Sequence, residues 1–364
     1  MTERTFILLK SLIKKIEAAL CQPLRHGSKI IFLFIPAILC FGSPFYVKLE
    51  ELYYKASIFE GTGKLLLSAV CVFLAINIAR LVFKKRFTGL LPISRKIFQW
   101  VIWLGFLIFT MGLAIRWFLA GHAPLSNQYE SMVFAAWASL LAGIALSRHS
   151  RLPMICGSLL SGIVLLMAHK PSIDASISPL PPVLKSPLMI THVSIAIASY
   201  GFFAVGTVLS FCSLLAMALP VSGKGNNLPA GVNIWSKITG QALWTGLFLI
   251  SVGCILGAIW ANETWGRYWG WDPKESWTLI MILSYTLLLT LRLVIRTNWA
   301  YWLNVWACFA FGALLMTYFG VNRFFSGMHS YGGEGEFPFL LMVISIPAIW
   351  ISLSLLAYRN LNRF

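Results

Sequence analysis

The chain has 364 residues, of which 58% are hydrophobic and only 11% charged, and its mean hydropathy is +0.78. A soluble domain carries roughly 45–50% apolar and about 25% charged residues, so this composition excludes an ordinary soluble protein and points to one bundle of membrane spans. The net charge of +17 would suit nucleic acid, but in so apolar a chain the first question is on which side of a membrane that charge lies.

Residues 1–29 set Arg4, Lys10, Lys14, Lys15 and Arg25 around Phe6, Ile7, Leu8, Leu9, Leu12 and Ile13. That pattern predicts an interfacial amphipathic helix rather than a cleavable leader. A span needs about 20 mostly apolar residues. Ten stretches qualify: 30–47, 62–83, 97–119, 129–147, 153–169, 189–219, 238–260, 277–296, 300–320 and 338–357. The sixth is long enough to tilt or to project from the membrane. The expected fold is an all-α polytopic membrane protein of about ten transmembrane helices.

Charge sets the orientation. With both termini cytoplasmic, 20 of the 29 basic residues and only Glu3 and Glu17 of the 12 acidic ones fall inside. The inside then carries +18 and the outside −1, as the positive-inside rule expects. The nucleic-acid reading loses its motive. His26 and His149 fall inside, whereas His122, His169, His192 and His329 fall at the outer boundary. The seven cysteines form no Cys-x-x-Cys pair, and all but Cys21 lie in apolar runs. They read as small buried hydrophobes, not as a thiol–disulfide centre.

Between the seventh and eighth spans lies an outer loop, W-A-N-E-T-W-G-R-Y-W-G-W-D-P-K-E-S-W, residues 260–277. It holds Trp260, Trp265, Trp269, Trp271 and Trp277, five of the chain's 15 tryptophans, where an even spread would place fewer than one. Interfacial belts explain one or two per membrane edge, not five beside Glu263, Asp272 and Glu275. Trp265 and Trp269 are four apart, so a helical turn would stack them on one face. Asp272 as N-cap, Pro273 at the first helical position and Glu275 three residues after Asp272 predict a capping-box start for the eighth span. The expectation is a short helical segment that forms a rigid, flat aromatic shelf, suited to a large planar ligand. Arg267 and Lys274 are placed to meet acidic groups on its edge. His192 begins the sixth span and His329 follows the ninth, so three segments distant in sequence converge on the outer face. Two neutral imidazoles would saturate a porphyrin iron.

These residues resemble a known family. The tryptophan string is similar to the WWD signature of heme-handling proteins, nearest to the CcsA (ResC) family of cytochrome c biogenesis. Three further stretches agree in order: G-H-A-P-L-S-N-Q-Y-E-S (121–131), S-P-L-M-I-T-H-V (186–193) followed by Ser199-Tyr200-Gly201, and Y-F-G-V-N-R-F-F-S-G-M-H-S-Y-G (318–332). The resemblance covers roughly residues 100–335. It implies a CcsA-like core over 97–335, two extra N-terminal spans over 30–96, and a last span with a cytoplasmic C-terminus over 336–364. It also implies System II cytochrome c maturation in a bacterial plasma membrane, the site facing the periplasm, or in a thylakoid membrane for a plastid-encoded member. A CcsB (ResB) partner would complete the synthase. Heme b would be held by His192 and His329 as axial ligands, against Trp265, Trp269, Trp271 and Asp272, with Arg267 alongside. It would be presented to the Cys-x-x-Cys-His motif of an apocytochrome c.

One departure matters. Where many relatives carry an intramembrane histidine in L-H-x-R, this chain reads L-T-L-R, with Thr290 at that position. Threonine is not an expected axial ligand, so the chain is expected to carry the outer heme site alone. Two other readings stand beside this one: a small-molecule transporter, against which the poverty of intramembrane charge speaks, and a CcmC- or CcmF-type heme-handling component.

Overall fold

The computed structural model describes residues 44–83, 90–180, 185–219, 231–291, 294, 297–327 and 339–361. It forms two compact units, Met1–Leu52 and Tyr53–Phe364. Of the first, only the start of α1 (Pro44–Ala56) is described. The second carries the rest of the described chain.

All regular structure among the described residues is helical. The helices are α2 (Ile58–Val82), α3 (Leu90–Ala120), α4 (Gln128–Ala145), α5 (Leu152–Ala168), α6 (Pro187–Ala218) and α7 (Val232–Trp265). They are followed by α8 (Pro273–Leu291), α9 (Trp299–Leu315), the single turn α10 (Val321–Phe324) and α11 (Phe339–Leu361). A π-helical turn, Met316–Gly320, joins α9 to α10. Among the described residues, six stretches are long and apolar enough to cross a membrane: Tyr46–Arg80, Pro92–Ala120, Gln128–Arg148, Pro187–Ala218, Val232–Trp265 and Trp299–Phe324. Leu152–Ala168 is a shorter apolar helix. The eighth and tenth expected spans coincide with α8 and α11, while most of the first lies outside the described residues.

Local chemistry sets the helix ends. Asn127 caps α4 by accepting from Glu130 N at 2.8 Å. Pro187 opens α6 at its first position, where its missing N–H costs nothing. Gly266 stops α7 at φ +71°, its N–H bonded to Asn262 O at 2.9 Å. That left-handed conformation is readily open to glycine.

The helices pack as membrane helices do, through small residues and apolar side chains. Gly143 of α4 and Gly157 of α5 lie so close that a Cβ on either would sit within 2.9 Å of the other's Cα. One core cluster joins α6, α7, α8 and α9 through Phe203, Leu243, Ile250, Met281, Tyr285, Leu303 and Ala307. Within it Phe203 stacks on Tyr285 at 3.9 Å and 6°. Buried hydroxyls such as those of Ser210 and Ser213 donate to carbonyls one turn back, at 2.9 Å each, so they cost little in an apolar interior. The outer faces are apolar too, with Ile97, Trp100, Leu104 and Leu107 of α3 exposed, as befits a chain solvated by lipid.

Candidate functional site

His192 sits on the second turn of α6 and its ring lies flat against α7. Nδ1 donates to Gly253 O at 2.7 Å. In a neutral ring the lone pair then belongs to Nε2. The ring occupies space that only a glycine at 257 leaves open: a Cβ there would sit 2.5 Å from His192 Cε1, 2.6 Å from Nδ1 and 3.0 Å from Nε2. Gly253 and Gly257 are one helical turn apart, so they share a face of α7. The first supplies the hydrogen bond and the second the room. Sequence reasoning passed over both, although small residues four apart in a membrane helix are a readable sign of close approach.

The tryptophan segment begins where α7 ends. Trp260 is buried and forms a cluster with Met189, against which Leu180, Leu188, Ile190, Val193 and Trp265 pack. The start of α6, which carries His192, is thus fixed to the start of the segment. Trp260 and Trp265 meet edge to face at 4.9 Å and 66°.

The expected helical segment is corrected by the backbone. Residues 266–272 form a loop, because Gly266 turns left-handed after Trp265 and so breaks the helix. Trp265 and Trp269 therefore do not share a helical face. Trp269 instead pairs with Trp271 at 5.9 Å and 87°, which gives perpendicular rings rather than a flat shelf. Trp271 adopts φ +56° and is 71% exposed. A bulky residue in the left-handed region is strained by about 1–2 kcal/mol, and such strain gathers at functional sites. Tyr268 and Arg267 are also exposed, and the Arg267 guanidinium folds over Gly270, where a Cβ would meet Cζ at 2.7 Å.

The expected start of α8 is present. Asp272 Oδ1 accepts from Lys274 N at 3.0 Å, and Glu275 Oε2 accepts from Asp272 N at 3.2 Å and Gly270 N at 2.8 Å. This reciprocal cap holds the loop from both ends. Asp272 is 9% exposed, and its carboxylate packs against the Cα side of Gly327, where a Cβ would collide with Oδ2. Lys274 points inward rather than out: Nζ donates to Asn322 Oδ1 at 3.1 Å. Burial pushes its ammonium down to about 8, and Asp272 opposes that shift. The segment is thereby joined to residues 322–327. His329 itself lies outside the described residues.

The 121–131 motif is built around a buried ion pair. Arg116 Nε donates to Glu130 Oε1 at 2.9 Å, with both side chains 1% exposed. Arg116 also donates to Tyr53 Oη, Ala175 O and Ser176 O at 3.1–3.2 Å. Ser126 supplies N–H and O–H donors to Glu130 Oε2 at 2.8 and 2.7 Å. His122 faces Ala123 O at 3.0 Å and Ser178 O at 3.3 Å. His169 donates from Nδ1 to Leu165 O at 2.7 Å and pairs with Tyr129 Oη at 3.2 Å. Both histidines serve structure here, and together with Arg116 they fasten the α5–α6 loop. Thr290 lies exposed on α8, its hydroxyl shared between Thr286 O and Leu287 O at 2.9 and 3.1 Å. Among the described residues no group of three His, Cys, Asp or Glu side chains could hold a bare metal ion.

The comparisons with known proteins agree with one another. The Cytochrome C assembly protein family matches residues 125–329. The chain is 42% identical over 258 residues to protein NrfI of Wolinella succinogenes, across 71% of this chain but only 28% of that protein. It is 33% identical over 266 residues to the cytochrome c biogenesis protein CcsA of Parasynechococcus marenigrum, across 65% of this chain and 86% of that protein. The chain therefore spans less than a third of NrfI and most of CcsA. The solved structure of a cytochrome c heme lyase, CcmF, shares the fold, with TM-score 0.52 and 17% identity over 84% of this chain and 51% of that one. Its low identity carries architecture and no more. On the family match and the CcsA relatives together, the chain belongs to the cytochrome c assembly family, among the CcsA proteins.

Proposed function

We propose that this chain holds heme on the outer face of a membrane, between His192 and His329 and beside the tryptophan segment, and presents it to an apocytochrome c. Its family works in cytochrome c biogenesis, with heme as the group handled. The observation that carries the site reading is the seat of His192. Its Nδ1 is committed to Gly253 O, and Gly257 provides a cradle that a Cβ would fill. Histidines that bind metals commonly donate their other ring N–H to a carbonyl in this way. A ring so fixed, on a helix start that packs against Trp260 and Trp265, fits a heme iron beside the tryptophan segment.

The residues divide the work. His192 and His329 serve as axial ligands to heme b. Trp265, Trp269 and Trp271 supply apolar contact, Asp272 orders the segment, and Arg267 is placed for a heme carboxylate. Bound heme brings two vinyl groups, across which the two thiols of Cys-x-x-Cys-His add as thioethers. The protein orients the reactants and leaves the bond-making to heme and thiol. A CcsB (ResB)-like membrane partner completes the synthase. The architecture that goes with this reading has ten spans, cytoplasmic termini, a core over residues 97–335 and two additional N-terminal spans. The membrane is a bacterial plasma membrane, or a thylakoid if the chain is plastid-encoded.

The test is made in cells that express this chain with its partner and a reporter apocytochrome. His192→Ala and His329→Ala are each expected to lower covalent heme on the reporter, read by heme stain, with the protein still in the membrane. Undiminished heme attachment in both variants would overturn the assignment.

A further inference from the structure

Residues 173–180 of the α5–α6 loop run extended across the end of the bundle at which α5 finishes and α6 begins. Ile173, Ala175 and Ile177 are half-buried while Asp174, Ser176 and Ser178 are exposed, the alternation of a strand laid on a surface. Side chains hold this strap by its backbone. Arg116 Nη1 and Nη2 donate to Ala175 O and Ser176 O at 3.1 and 3.2 Å. Tyr54 Oη accepts from Ile177 N at 3.2 Å, and His122 Nε2 faces Ser178 O at 3.3 Å. Past these contacts, Leu180 packs on the buried cluster of Met189 and Trp260.

That cluster closes the helix contact in which His192 sits. Met189, His192 and Ala196 follow one another along α6 at spacings of three and four, and Gly253, Gly257 and Trp260 along α7 at four and three, so each set lines one helix face. The two faces meet rung by rung. A Cβ at Gly253 would lie 3.3 Å from Ala196 N. His192 Nδ1 donates to Gly253 O, and its ring fills the space beside Gly257. Met189 then clusters with Trp260, and Leu180 covers that last rung.

Arg116 is an unfavourable way to fasten a loop if stability alone were at stake. Its side chain is 1% exposed, and apolar residues in place of a buried ion pair are often neutral or stabilising. What the guanidinium adds is geometry, because its donors form a rigid planar fork. Nε holds Glu130 of the 121–131 motif at 2.9 Å, and the two terminal nitrogens hold the strap. Motif and strap are thereby set in one plane.

We propose that the 173–180 strap is a positioning element for His192, with Arg116 and Leu180 as its positioning residues: Arg116 fixes the strap to the 121–131 motif, and Leu180 fixes the end of the α6–α7 contact that seats the ring. This rests on the reading of His192 as a heme ligand. It also gives the 121–131 motif a part in the site. A ligand is only as well placed as the shell that holds it.

The experiment uses the full chain, purified with and without heme, as wild type, Leu180→Ala, Leu180→Met, Arg116→Lys, Leu209→Ala and His192→Ala. In the heme-free protein, hydrogen exchange of the peptide spanning residues 188–195 is expected to quicken about tenfold in Leu180→Ala, as losing part of an apolar contact eases local opening. Arg116→Lys keeps a cation for Glu130 but gives up the fork to the strap carbonyls, and should quicken the same peptide. Leu180→Met, of similar volume, should stay near wild type. Leu209→Ala empties a buried position elsewhere on α6; it should lower the melting temperature and leave 188–195 unchanged. In the heme-loaded protein, Leu180→Ala should weaken heme affinity about tenfold, the low end of the range for groups that orient a metal-bound histidine, and shift the spectrum toward that of His192→Ala. Leu209→Ala should keep the wild-type spectrum. Should Arg116→Lys fail to accumulate, Leu180→Ala decides alone. Unchanged exchange in Leu180→Ala would overturn the proposal, as would equal quickening in Leu209→Ala, which marks general loosening. So would quickened exchange with wild-type heme affinity, provided His192→Ala itself loses a ligand. If His192→Ala keeps both axial ligands, the heme reading fails instead, and exchange at 188–195 alone decides whether the strap holds the turn that carries His192.

Discussion

Gly257→Ala changes one hydrogen to a methyl and replaces no proposed ligand, yet it should damage the site. The added carbon would sit 2.5 Å from His192 Cε1 and 2.6 Å from Nδ1, about 1 Å inside ordinary contact for carbon. Either the ring or the helix must move. Helix α7 has little room, because one turn earlier Gly253 already lies where a Cβ would be 3.3 Å from Ala196 N. The ring therefore gives way, and the 2.7 Å bond to Gly253 O goes with it. Losing the partner that orients a metal-bound histidine typically costs about 10–100-fold in affinity, so heme affinity should fall by about that factor. The assay is heme titration of the purified full chain, followed in the Soret region. Gly312→Ala is the control, since a Cβ there meets nothing within 4 Å. Wild-type affinity in Gly257→Ala would mean that this cradle does not seat the ligand.

Other outcomes rest on the same geometry. Trp271→Gly relieves a left-handed backbone and removes an exposed ring; it should raise unfolding stability by roughly 1 kcal/mol while lowering heme retention, and a fall in melting temperature would contradict this. Arg116→Met leaves Glu130 buried without its cation and should cost about 3–5 kcal/mol, seen as a large drop in melting temperature that Arg116→Met with Glu130→Leu partly restores. Lys274 has a folded value of about 8 against an ordinary value of 10.5. Between these values the unfolded chain binds the extra proton, so stability should rise with pH across that window. The rise should be missing from the pH dependence of melting in Lys274→Met.

Hydropathy made the all-helical, membrane-type architecture readable, because lipid demands long apolar helices that satisfy their own backbone. The α8 cap was equally legible, since Asp272, Pro273 and Glu275 act within one turn. The tryptophan segment was not, although its residues were plain. Spacing of four suggested a helix through Trp265 and Trp269, but Gly266 breaks it, and a glycine by itself does not announce its sign of φ. Lys274 looked like an outward cation and turns to Asn322, 48 positions away, a tertiary contact no local pattern encodes. The cradle of His192 was legible in part: Gly253 and Gly257, four apart, mark a close approach, but that the approaching group is His192 shows only once α6 is laid on α7.

Heme binding by two histidines at the tryptophan segment is best tested by the absorption spectrum of the full chain purified from heme-replete membranes, as wild type, His192→Ala, His329→Ala and the double variant. Two-histidine ligation predicts a six-coordinate, low-spin Soret band in the wild type, loss of one ligand in each single variant and loss of the band in the double variant. A wild-type protein without heme, or a double variant with an unchanged band, would rule that ligation out.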